Sequence, residues 1–134
     1  RYKIIFDQIH ECGWHVILHS CGRINQFVPA LIESGVDVLN MQQTRSYGLE
    51  TFGQEFRGKV CFLGTVDIQT TLPRGIEAEV REEARLLIEN WSTPQGGLIA
   101  FDYGDWPAVD VNPKTVRAMF DEFDRQKEYW QGPE

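Results

Sequence analysis

The sequence predicts an α/β protein built on a parallel sheet, on three observations. Apolar runs rich in Val, Ile, Leu, Phe or Tyr recur near residues 14–20, 36–41, 59–65 and 97–103, each closely preceded by glycine. Helical patterns with apolar residues three or four apart separate them. The runs Val36-Asp37-Val38-Leu39 and Val60-Cys61-Phe62-Leu63 alternate poorly, as strands do when both sheet faces are covered. Strand–helix alternation then demands right-handed crossovers, in an open doubly wound sheet or in part of a barrel.

The elements follow in order. Tyr2-Lys3-Ile4-Ile5-Phe6-Asp7-Gln8-Ile9 opens the chain as a helix, and Trp14-His15-Val16-Ile17-Leu18 begins the first strand. Phe27, Leu31 and Ile32 mark the next helix, which Gly35 ends as a C-terminal cap. Phe52 with Phe56 marks the helix before the third strand, and Gly58 follows it. Val80, Ala84, Leu87, Ile88 and Trp91 give a longer helix, whose acidic stretch Glu77-Ala78-Glu79-Val80-Arg81-Glu82-Glu83-Ala84-Arg85 reads as a solvated face with i,i+4 ion pairs. Asn112-Pro113 supplies an N-cap and first-turn proline for a last helix carrying Val116, Met119, Phe120 and Phe123.

Four parallel β/α units are half of an eight-unit TIM-type (β/α)8 barrel, which typically takes ~250 residues. Neither phosphate-binding motif, GxGxxG or GxxxxGK[ST], occurs, which weakens a nucleotide-binding open sheet. Residues 1–134 therefore read as one unit, half of a barrel. Its inner sheet face needs a cover, either a missing N-terminal half or a second copy. A chain that starts at Arg1 in an already helical pattern is expected to be a segment of a longer protein.

Composition narrows the function classes. With 13 Lys+Arg against 20 Asp+Glu, the net charge is −7, and no basic cluster suggests nucleic acid or an anionic membrane as partner. No apolar run approaches a ~20-residue membrane span and no signal-peptide pattern opens the chain, so the cytoplasm is the expected compartment. Three cysteines fit reduced thiols better than a disulfide framework. Cys61, inside an apolar strand, reads as a small buried hydrophobe, and Cys12 beside His10 as coincidence. His15, which opens a strand, reads as a satisfied or surface histidine rather than a ligand.

In this architecture chemistry gathers at the carboxyl ends of the strands. There the sequence puts His19, Ser20 and Cys21 first, then Asn40 and Gln42, then Gly64, Thr65, Asp67 and Gln69, and finally Asp102, Tyr103 and Asp105. His19 and Cys21 alternate onto one side of a strand end, and an imidazole nitrogen with a thiolate sulfur suits zinc. A catalytic zinc takes about three protein ligands and one open position, so the pair is incomplete, with Asp102 or Asp105 as candidate completion. Gly64 would admit a ligand close to the backbone, and Asp67, Asp102 and Asp105 are the candidate catalytic carboxylates. Asn40, Gln42, Gln69 and Tyr103 are candidate substrate contacts. Ordinary polar loop residues and turn carboxylates are the competing explanation for each.

The succession His19-Ser20-Cys21-Gly22, Leu31-Ile32-Glu33-Ser34-Gly35-Val36-Asp37-Val38-Leu39-Asn40, Phe62-Leu63-Gly64-Thr65-Val66-Asp67-Ile68-Gln69, Leu72-Pro73-Arg74-Gly75 and Glu79-Val80 resembles the C-terminal half of the uroporphyrinogen decarboxylase superfamily. The resemblance implies units five to eight of a (β/α)8 barrel acting on a small-molecule substrate. It also implies two alternatives. In the zinc-dependent methyltransferase branch, the counterparts of His19 and Cys21 bind zinc and the methyl group passes to or from a thiol or a corrinoid protein. A further cysteine near the last strand is usual there, and Ala100-Phe101-Asp102-Tyr103-Gly104-Asp105-Trp106 has none. In the decarboxylase branch, cofactor-free decarboxylation of uroporphyrinogen needs no metal. A substrate-contacting histidine of that branch corresponds to Asp105, which would repel an acidic tetrapyrrole. A third expectation, a non-catalytic barrel half acting as a binding or assembly module, follows from the absent first half.

Overall fold

The computed structural model describes residues 1–130. In chain order the elements are α1 (Tyr2–Glu11), β1 (Ile17–His19), α2 (Val28–Glu33), β2 (Val38–Met41), α3 (Thr44–Tyr47), α4 (Leu49–Phe56), β3 (Cys61–Gly64), α5 (Thr71–Arg74), α6 (Glu77–Trp91), β4 (Leu98–Ala100) and α7 (Pro113–Arg125). Short 3-10 turns occupy Asn25–Phe27 and Pro107–Val109. All four strands are parallel and pair in the order β1-β2-β3-β4. This is the arrangement expected of half a TIM-type barrel. The strands are shorter than the apolar runs: β1 begins at Ile17 rather than at 14, and β4 ends at Ala100 rather than at 103.

Register separates the two sheet faces. Leu18, Leu39, Phe62 and Leu98 stand side by side and face the helices. Alternation turns Ile17, Val38, Cys61, Leu63 and Ile99 to the other face. That face is open: Ile17 is 60% and Ile99 46% exposed, and the residues between them are half-buried. Cys61 therefore stands on the uncovered face instead of being enclosed in the core, and its partial burial pushes its thiol pKa up.

The helix side holds the core. Val80, Ala84, Leu87 and Trp91 are fully buried along one stripe of α6. The Trp91 indole packs on Phe52 and Phe62 with ring centroids 5.3 and 4.7 Å apart, and its Nε1 donates to Leu49 O over 2.8 Å. α4 approaches α6 closely because position 53 has no side chain; a Cβ there would lie 2.5 Å from the Asn90 carbonyl oxygen. The expected caps are present. Gly35, at φ +95°, follows α2 where a side chain would be strained, and the Asn112 side chain accepts from Lys114 N at the start of α7.

Candidate functional site at the carboxyl ends of the strands

β1 and β2 bring His19 level with Asn40. His19 Nδ1 lies 2.5 Å from Asn40 Oδ1, and its other nitrogen, Nε2, lies 3.2 Å from Cys21 Sγ. The pairing of His19 with Cys21 expected from their spacing is thus present, with both side chains exposed. Asn40 and Gln42 are 5% and 7% exposed, and Gln42 Nε2 donates to the same Asn40 oxygen over 3.2 Å. Their amides consequently support His19, where the sequence suggested direct substrate contacts. The next turn is tied to this one, since Gly22 N donates to Gln43 Oε1 over 2.6 Å.

Two buried carboxylates hold the loops after β2 and β3. Asp67 is 1% exposed; its Oδ1 accepts from Gln69 N, Thr70 N and Thr70 Oγ1, and its Oδ2 accepts from Arg45 N. With both oxygens so occupied, Asp67 shapes the loop after β3. Glu83, on α6, is fully buried. It accepts from Thr44 Oγ1, Thr71 Oγ1, Arg45 Nε and the Asp67 amide, all within 2.6–2.9 Å.

Glu83 corrects the reading of its helix as uniformly solvated. Lying three residues after Val80 and four before Leu87, it belongs to the apolar stripe, and that position was the available signal. Burial works to lower the pKa of the Arg45 guanidinium, but the charge and hydrogen bond of Glu83 override it and hold that pKa above its ordinary value.

At Gly64 the missing Cβ would point to the helix layer, 3.5 Å from both Trp91 and Leu98, so the space it leaves serves packing. Gln69 is exposed at the same strand end, and its amide is part of the Asp67 turn. Tyr47, on α3, is buried with its hydroxyl unpartnered, and burial pushes its pKa up to about 12.

After β4, Asp102 accepts from Gly104 N over 2.5 Å and Asp105 from Ala108 N over 3.3 Å, so both carboxylates shape turns. Tyr103 between them packs against the core edge. β4 and β1 form opposite edges of the sheet, three inter-strand steps of roughly 4.8 Å apart. That separation explains why neither aspartate joins His19 and Cys21, and among the described residues no three His, Cys, Asp or Glu side chains converge as a metal-binding group. The donor set nevertheless suits two positions of a zinc ion, which takes an imidazole nitrogen and a thiolate sulfur, with the imidazole anchored through its other nitrogen.

The opposite end of the sheet carries a separate cluster. Asp37 accepts from Val16 N over 2.6 Å and pairs with His10 over 2.8 Å, with His15 at 3.6 Å. Burial acts to raise the Asp37 pKa, but these hydrogen bonds and the two histidine charges outweigh it and leave it lowered. His15 thus has a charged neighbour despite its exposure.

No helix among the described residues is long and apolar enough to cross a membrane. Compared with known families, the chain matches the model described as uroporphyrinogen decarboxylase (URO-D) over residues 1–126. No curated protein and no solved structure gives a significant match.

Proposed function

The chain belongs to the uroporphyrinogen decarboxylase family, and from that premise we propose that it serves metal-assisted methyl transfer as units five to eight of a barrel enzyme. The observation that carries the reading is the His19–Cys21 pair, with Nε2 and Sγ 3.2 Å apart and Nδ1 held by Asn40. The pair would hold zinc, with the remaining ligands supplied from outside the described residues. Zinc bound there would supply positive charge that lowers the pKa of a substrate thiol.

This chain's own residues do the rest. Asn40 and Gln42 keep the His19 ring in place, and the Glu83 and Asp67 networks fix the two neighbouring loops. Gln69, Tyr103, Asp102 and Asp105 line the rim where a small substrate, or the methyl carrier of a corrinoid protein, would approach. The barrel is completed by an N-terminal half or a second copy, which covers Ile17 and Ile99.

A second reading, cofactor-free decarboxylation in tetrapyrrole synthesis, is favoured by the description of the matching family. His19 and Cys21 then line the pocket without metal. Metal analysis of the purified protein separates the two. In the completed barrel, about one zinc per copy of this chain, lost in Cys21→Ser, supports methyl transfer; a metal-free barrel after purification in zinc-containing buffer removes it.

A further inference from the structure

We propose that Asn40, braced by Gln42, is a positioning residue that confines neutral His19 to the tautomer protonated on Nδ1, leaving the Nε2 lone pair directed at Cys21. Three observations meet here. Asn40 Oδ1 faces His19 and also accepts from Gln42 Nε2, and an oxygen 2.5 Å from Nδ1 requires a proton there. Asn40 and Gln42 are both buried, so water competes weakly for this bond. His19 and Asn40 are register partners on adjacent strands, which fixes their approach through the sheet backbone itself.

The tautomer has chemical consequences. A lone pair on Nε2 makes that nitrogen an acceptor for the Cys21 thiol, or a donor atom for a metal once the thiol proton has left. With the proton on Nε2 instead, the ring could only donate toward sulfur. His10 provides an internal contrast, because its Nε2 faces the Asp37 carboxylate at 2.8 Å and must carry the proton in the neutral ring. One chain thus holds two histidines in opposite tautomers. The significance for metal binding rests on the methyl-transfer reading, whereas the tautomer does not.

The test is long-range proton–nitrogen NMR on the 15N-labelled chain, stripped of metal with a chelator, at about pH 7.5, between the ordinary histidine and cysteine values. His19 is expected to show the Nδ1–H pattern and His10 the Nε2–H pattern. Asn40→Leu should shift His19 toward Nε2–H while His10 keeps its signals, and Asn40→Asp, which can only accept, should restore Nδ1–H. An Nε2–H pattern for His19 in the wild type, or no change in Asn40→Leu, overturns the proposal. If Asn40→Leu does not fold, wild type and Asn40→Asp decide it, Nε2–H in either being contrary.

Zinc titration is scored separately. With both readings correct, Asn40→Leu weakens zinc binding by about 10–100-fold. An Nδ1–H pattern in a protein that binds no zinc upholds the tautomer and removes the metal reading; zinc binding with an Nε2–H ring in the stripped wild type does the reverse.

Discussion

The backbone amide of Asp67 donates to Glu83 Oε1 across 2.9 Å, so the loop after β3 is anchored to a carboxylate inside the helix layer. Thr44, Arg45 and Thr71 complete the same carboxylate, and two successive strand-end loops share one buried charge.

Removing that charge should be costly. Glu83→Ala leaves two hydroxyls, an amide and a guanidinium nitrogen without their acceptor, and is expected to destabilise the fold by about 3 kcal/mol. Arg45 is 47% exposed and recovers water, so it contributes the smaller part of the loss. Urea unfolding checks this, and a change below about 0.5 kcal/mol, the range of ordinary surface substitutions, would contradict the network's role.

At Gly53 two effects oppose each other. Alanine gains up to about 1 kcal/mol in helix propensity, yet its Cβ would meet the Asn90 carbonyl oxygen and Trp91 Cδ1 at 2.5 Å. Neither a backbone carbonyl nor a fully buried indole gives way easily. A net loss of about 1–3 kcal/mol is expected for Gly53→Ala, with a lower thermal midpoint; a raised midpoint would show that α4 can move away from α6.

The acid limb of stability should report Asp37. Its folded-state pKa lies below the ordinary 3.8, so its contribution is complete above that value and disappears as pH falls through the lower folded-state one. Asp37→Asn should flatten the stability–pH curve in this window and lower stability at neutral pH. Parallel wild-type and variant curves down to about pH 2 would show that the carboxylate is not the source.

The open sheet face predicts concentration-dependent association. Ile17→Lys with Ile99→Lys should reduce the mass seen by sedimentation while leaving the unfolding midpoint of the dilute chain almost unchanged, because both residues are exposed. Identical masses for the two proteins at every concentration would count against this face as the contact.

The sheet was legible in the sequence because each unit announces itself locally, through an apolar run, a helical period and a glycine or proline boundary. Exact strand ends were not, since Trp14 and Phe101 extend apolar runs beyond the hydrogen-bonded ladder. At the site, the alternation of His19 and Cys21 predicted their meeting. Asp67 looked chemical because a carboxylate after a strand reads the same whether it meets substrate or caps its own loop. Its four donors are visible only in three dimensions. Glu83 was hidden by its neighbours, since Glu79 and Glu82 lie toward solvent and share its composition but not its face.

Strand order that repeats chain order has a consequence for synthesis. Every strand after β1 pairs with the one made just before it, so the sheet can grow vectorially as the polypeptide leaves the ribosome, without waiting for a distant segment. At each stage the newest strand has one open edge, and β4 keeps that condition when the described sheet is finished. The interval between the emergence of one strand and the arrival of the next is therefore when a chaperone has most to protect.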